Sequence, residues 1–197
     1  MSSLRHIPDA RLNGYLDAAR DCILDVGWRR TTLTEVAKRA SVSRMTIYRA
    51  WSDMGSLLGD LMTREWVGIA AATRVAAADT TTPAGIAAAA LSTVRALRDN
   101  ELFVRIVELD PDLMLPYLLS RRGRSQEALI EILAAEIESG QAARAIRPGN
   151  PTLMARTLTL AGHGFVFSAL TMVDADVPLE DLDAEYVRLV TRTLEPQ

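Results

Sequence analysis

Apolar side chains recur three and four positions apart along almost the whole chain, and no stretch alternates apolar and polar residues long enough for a useful strand. That spacing puts the apolar residues on one face of a helix, so the core has to be closed by helices packing on helices. The chain has 197 residues, 49% of them hydrophobic, which is enough for a real core in one or two domains. A formal charge of −3 beside that apolar share argues against disorder. The expected class is all-α, with about nine helices.

The first helix is expected from Pro8 to Val26, closed by Gly27, with Leu12, Tyr15, Leu16, Ala19, Cys22, Ile23 and Val26 as its inner stripe. Cys22 belongs to that stripe and reads as a core residue, since no histidine is near it in sequence. Short helices are expected over Leu33–Ala40 and Arg44–Ala50, and a long one over Met54–Ala78. Thr82 and Pro83 read as N-cap and first helical residue of a helix reaching Asp99, followed by a short helix from Glu101 to Leu109. From Asp110-Pro111 a helix bent near Pro116 is expected to reach Ser139 and end at Gly140. Gln141–Asn150 reads as a loop, and Asn150-Pro151 as the start of a helix over Thr152–Met172. The last helix is expected from Pro178 to Leu194, with Glu180, Asp181 and Asp183 in its first turns, where the helix dipole favours acids.

Several function classes drop out on residue types alone. One cysteine makes no internal disulfide, and one cysteine with two histidines makes no Cys/His zinc site. No metal or cofactor is expected, because neither a glycine-rich phosphate loop nor a Gly-x-Ser-x-Gly elbow is present. The longest uncharged run, Thr157–Val173, has 17 residues. About 20 apolar residues are needed to span a bilayer, so this run reads as a buried helix rather than a membrane anchor. With no signal peptide visible either, the expectation is a soluble cytoplasmic protein.

Charge is unevenly spread. Residues 1–65 carry ten basic against eight acidic side chains, and the remainder twelve against seventeen. Within Arg29–Arg49 the count is six basic (Arg29, Arg30, Lys38, Arg39, Arg44, Arg49) against Glu35 alone. So local an excess on an acidic protein suggests a confined anion-binding face, although a solvated surface explains the charge alone equally well. The sequence inside that stretch is more specific. Thr32 and Glu35 form a capping box that starts a short helix, with Val36, Ala37 and Ala40 on its inner face. Ser41-Val42 is a turn of minimum length, and Ser43 caps a second helix whose inner side is Ile47 and Trp51. Two short helices joined this way, the second polar and basic outside, make a helix-turn-helix able to enter a major groove.

The segment resembles the DNA-binding domain of the tetracycline-repressor (TetR) family of bacterial regulators. The likeness rests on Thr32, Val36-Ala37, Ala40-Ser41-Val42-Ser43, Thr46-Ile47-Tyr48, Trp51, Met54 and Leu57, and covers about residues 10–60. It implies that Thr32 and Thr34 lie near the DNA backbone and that Ser43 caps the reading helix. It further implies that Arg44, Met45 and Thr46 face the bases, while Tyr48 offers a hydroxyl and Arg49 a charge to phosphates. The chain departs from the family pattern at Ser41, usually glycine, at Met45, usually small, and at Ala50 and Met54, where the family places phosphate contacts.

By the same resemblance, residues 1–52 would be the DNA-binding domain and 53–197 a ligand-binding and dimerisation domain. Trp66, Phe103, Met114, Tyr117, His163 and Phe167 are candidates to line a cavity, with core packing as the plain alternative for each. His163 stands out between Gly162 and Gly164, because glycines inside a helix cost about 1 kcal/mol each relative to alanine. Ala161, Gly162, Ala169, Leu182, Tyr186, Leu189 and Val190 are candidates for a four-helix dimer interface. The expected function is a homodimeric transcriptional regulator, a repressor released from a palindromic double-stranded operator by a small apolar effector. Alternatives are a ligand-independent or activating regulator, a helical hydrolase using His163, and a protein-interaction module. The hydrolase lacks a paired nucleophile at a recognisable spacing, and the interaction module has no use for a basic helix-turn-helix.

Overall fold

The computed structural model describes residues 10–77 and 79–196. Among these there are ten α-helices and no strand: α1 Ala10–Val26, α2 Leu33–Arg39, α3 Arg44–Ala50, α4 Met54–Ala76, α5 Pro83–Arg98, α6 Glu101–Leu109, α7 Leu115–Leu119, α8 Arg124–Ala142, α9 Pro151–Phe167 and α10 Leu179–Leu194. Two 3₁₀ turns, Pro111–Leu113 and Ala169–Met172, complete the secondary structure. The helix start expected at Pro8 and the helix end expected at Ala78 lie outside the described residues.

The helix starts read from sequence ahead of α2, α5 and α9 are capped as expected, whereas Asp110 ahead of Pro111 makes no side-chain cap bond. Thr32 accepts the Glu35 amide while Glu35 accepts the Thr32 amide, Thr82 caps α5 ahead of Pro83, and Asn150 caps α9 ahead of Pro151. The stretch from Pro111 to Ser139 is different from the single bent helix expected. It is a 3₁₀ turn, the five-residue α7, a break at residues 120–123, and then α8. The Ser120 and Arg121 amides both end on the Pro116 carbonyl, and Ser120–Gly123 contains no apolar side chain to bury in a further turn.

Gly140 does not end α8, which runs on to Ala142. A Cβ at Gly140 would lie 2.4 Å from the Thr81 carbonyl oxygen and 2.4 Å from Ile146 Cδ1, so the glycine admits two neighbouring segments against the helix. The helix expected over Thr152–Met172 stops as α-helix at Phe167 and continues as the second 3₁₀ turn.

The chain forms two compact units, each discontinuous in sequence. The first comprises the described residues up to Arg64 together with Glu101–Gly123. Its core is Leu16, Ala19, Ile23, Val36, Ala37, Ile47, Leu57, Leu61, Leu102 and Ile106, all nearly inaccessible. Arg64 bridges Asp17 (2.7 Å) and the Asn13 carbonyl (3.0 Å), fastening α4 to α1. The loop between α1 and α2 is held from far along the chain. The Trp28 amide donates to the buried Asp110 (3.0 Å), and Arg29 pairs with Asp110 (3.1 Å) and Asp112 (2.8 Å).

The second unit contains Glu65–Asn100 and the residues from Arg124 onward. Ile86, Val94, Ile130, Leu133, Ile137, Ile146, Met154, Leu158, Tyr186, Val190 and Leu194 form its core. Two polar ties cross that unit. Arg74 on α4 pairs with Glu136 on α8 (2.8 Å), and Asp183 on α10 accepts from Arg95 (2.7 Å) and Arg98 (2.8 Å) on α5.

Ser41 adopts φ +55, the left-handed conformation that favours glycine. Its side chain is exposed, so nothing in the packing offsets the strain. Ser41→Gly should therefore raise stability by about 0.5–1 kcal/mol. A urea titration of the two proteins checks this, and an unchanged or lower midpoint goes against it.

Candidate nucleic-acid interface

The capping box leaves Thr32 little freedom, because its hydroxyl accepts from the Glu35 amide (3.2 Å) and donates to the Glu35 carboxylate (2.9 Å). After α2 the chain turns through Ser41, and the Val42 amide closes the turn on the Ala37 carbonyl (3.0 Å). Ser43 Oγ then caps α3 by accepting the Thr46 amide (3.2 Å). Ile47 is fully buried, and Trp51 lies edge-on to Tyr15 with its Nε1 donating to Asp60 (2.7 Å). Burial of Ile47 and Trp51 fixes which side of α3 is left outside.

That outer side carries Arg44, Met45, Tyr48 and Arg49, all exposed. The positions are i, i+1, i+4 and i+5, one contiguous helical face. Thr46, between Met45 and Ile47, is half-buried, and its hydroxyl lies 2.8 Å from Ser43 Oγ. Thr34 on α2 is half-buried. Of the six basic residues in the stretch, Arg29 is held by Asp110 and Asp112, and Arg39 by Asp25, whose carboxylate pushes the Arg39 pKa up. Arg30, Lys38, Arg44 and Arg49 carry no ion pair among the described residues. Two of these four, Arg44 and Arg49, are on α3, Lys38 is on α2, and Arg30 precedes α2.

Sequence reading overlooked Asp53. Its carboxylate accepts the Ser56 amide (2.7 Å) and the Ser52 hydroxyl (2.8 Å), which hold it below the usual carboxylate range and cap α4. The Asp-x-x-Ser spacing was the available signal. A fixed negative charge therefore sits next to half-buried Met54, where the related pattern has a phosphate-binding lysine.

A family profile described as "Bacterial regulatory proteins, tetR family" matches residues 16–61, the segment that contains this geometry. An uncharacterised HTH-type transcriptional regulator of Mycobacterium bovis is 32% identical over 154 residues, covering 78% of this chain and 79% of its own. The chain belongs to the tetR family of bacterial regulatory proteins. The fold agrees over nearly its full length with the transcriptional repressor QsdR of R. erythropolis, also of the TetR family (TM-score 0.71, 16% identity, 95% of each chain). SmeT, the repressor of the Stenotrophomonas maltophilia efflux pump SmeDEF, is similar in its complex with triclosan (TM-score 0.58, 19% identity, 95% of this chain and 92% of that one). The protein is accordingly a transcriptional regulator and not an enzyme, which sets aside the hydrolase built on His163. No helix of the described residues is long and apolar enough to cross a membrane.

The other candidate residues of this regulator are distributed as follows. Phe103 and Met114 are buried in the first unit, where Tyr117 lies under the Arg121 guanidinium, 4.9 Å from its ring centre. Trp66, His163 and Phe167 belong to the second unit and are half-buried, the last two packed edge to face at 6.3 Å. Of the residues considered for a dimer interface, Gly162, Ala169, Tyr186 and Val190 are buried within the chain itself. Tyr186 comes within 3.0 Å of where a Gly162 Cβ would stand, which explains that glycine by close approach. Ala161 and Leu182 are half-buried and Leu189 is exposed.

His163 Nε2 lies 3.4 Å from Gln126 Nε2, and burial lowers its pKa from the ordinary 6.5. The neutral ring is the form that accepts from the Gln126 amide. With a depressed folded value, its stabilising contribution is complete above 6.5 and is lost as pH falls through that lower value. The regulator should melt at a lower temperature at about pH 5.5 than at about pH 7.5, and His163→Gln should narrow that difference. A variant with the same pH dependence as the parent would assign the effect elsewhere.

Proposed function

We propose that this regulator is a homodimeric, cytoplasmic repressor that sets α3 of each protomer into the major groove of a roughly palindromic operator. Release would follow binding of a small apolar effector. The observation that carries the reading is the exposed outward face of Arg44, Met45, Tyr48 and Arg49 on a helix whose opposite side is locked by Ile47 and Trp51. Residues 1–52 would supply DNA reading, with Thr32, Thr34, Ser43 and Thr46 shaping its two helices. Residues 53–197 would supply effector binding and dimerisation.

Exposed leucines support pairing of two copies. Leu153 and Leu160 stand seven residues apart on α9, hence on one face, and Leu189 is exposed on α10. We place the dimer contact there and on half-buried Ala161 and Leu182. Two-fold pairing would present the two reading helices about one helical turn, or a multiple of about 34 Å, apart on the duplex. The complex of the similar repressor SmeT with triclosan supports an effector of small-molecule size. Trp66, His163 and Phe167 of the second unit, and separately Phe103, Met114 and Tyr117 of the first, remain residues to probe for it. An effector releases DNA only if it binds the non-reading form more tightly than the reading form.

The test is selection of bound sequences from a random duplex pool by the full-length protein, with light scattering of the same sample. Enrichment of an inverted repeat by a dimer is the expected result. A monomer at micromolar concentration, or a pool without enrichment, overturns the proposal.

A further inference from the structure

Met45 is the one feature of the reading face that charge does not explain. It is 62% exposed on the second residue of α3, although Ile47 and Trp51 already supply all the apolar burial this helix makes. Its neighbours on the face are Arg44, Tyr48 and Arg49, each with polar atoms to offer. A major groove displays hydrogen-bonding groups from every base pair but only one kind of apolar group, the C5-methyl of thymine. An unbranched thioether with several rotatable bonds adapts well to such a small apolar target.

Thr46 also carries a methyl group, but the residue is half-buried where Met45 is 62% exposed. Ala50 is exposed, but it lies five residues further along α3, about 7.5 Å up the helix axis and away from the N-terminal end that meets base edges.

We propose that Met45 is a specificity-determining residue that reads a pyrimidine C5-methyl group in each half-site, adjacent to the base addressed by Arg44. The inference rests on the proposal that α3 enters the major groove. The methyl can come from thymine or from 5-methylcytosine, and the experiment separates the two.

The operator is first selected from a random duplex pool with the wild-type protein. Each thymine of both half-sites is then replaced in turn by deoxyuridine, which removes only the methyl group, and each cytosine by 5-methyldeoxycytidine. For thymine reading, deoxyuridine at one position should weaken wild-type binding about fourfold per half-site, the factor for one buried methyl group. Met45→Ala should bind the parent operator more weakly by a similar factor and be indifferent to the same replacement, whereas Met45→Leu should keep the sensitivity. If instead a single 5-methyldeoxycytidine tightens wild-type but not Met45→Ala binding, the methyl is read from methylated cytosine. Insensitivity of the wild type to both kinds of replacement, or equal sensitivity in wild type and Met45→Ala, overturns the assignment to Met45. Failure of the pool to enrich any sequence overturns the groove-reading proposal itself. Met45 makes none of the core contacts, so melting curves of the variants should coincide with the parent.

Discussion

Asp183→Ala should destabilise the protein by about 3–5 kcal/mol, the range for stripping one partner from a buried ion pair. The Asp183 side chain is 3% exposed and receives Arg95 Nε at 2.7 Å and Arg98 Nη2 at 2.8 and 2.9 Å. Arg98 is itself only 8% exposed, and its Nη1 is already without a partner. Without the carboxylate, a guanidinium would be stranded in the interior between α5 and α10. Arg95 is about half exposed, so its share of the network is screened and small. Arg95→Ala should therefore cost less than about 1 kcal/mol. Urea unfolding of the two variants distinguishes them, and similar midpoints would show that burial of Arg98 is not what makes Asp183 important.

Arg44→Ala should weaken binding to the selected operator by about 1–3 kcal/mol, roughly 5- to 150-fold, and barely change binding to unrelated DNA. Arg44 is exposed on the first residue of α3 and makes no ion pair among the described residues, so its guanidinium is available for a two-pronged contact to guanine O6 and N7. Its removal should leave the melting temperature unchanged, separating recognition from folding. Fluorescence anisotropy on operator and on scrambled duplex at one salt concentration gives both affinities. Equal losses on the two duplexes would assign Arg44 to phosphate.

Local chemistry was legible in the sequence and distant partners were not. Thr32 with Glu35, Thr82 with Pro83, and Asn150 with Pro151 announce helix starts because donor and acceptor lie within three residues of each other. Spacing within Arg44–Ala50 was enough to separate buried Ile47 from the outer residues. The contact between the Ser43 and Thr46 hydroxyls was not legible, because Ser43 could be read as a cap without showing that it also meets the Thr46 hydroxyl. Gly140 resembled a terminator, while its reason is the approach of Thr81 and Ile146 from other parts of the chain. Sequence showed Asp110 only as a helix start and Asp183 only as a dipole-favoured acid, since their arginines lie more than 80 residues away. Tyr186 and Val190 fitted an interface as well as a core by pattern, and only packing decided that they are buried.

The carboxylates of Asp110 and Asp112 bear on how freely the reading head can be exchanged between regulators. A transplant of residues 1–64 onto another body would arrive with the Trp28 amide lacking its acceptor and Arg29 lacking both of its carboxylates. Such a head is not a cassette, because part of its foundation is encoded after α5, in Glu101–Gly123. Recombination at a single crossover near α4 would separate the head from that foundation and yield a hybrid with a loosened approach to α2. Changing side chains at 44, 45, 48 and 49 leaves the foundation whole. If α3 reads the operator as proposed, point substitution on α3, rather than shuffling of whole heads, would be the route by which a regulator of this construction acquires a new operator.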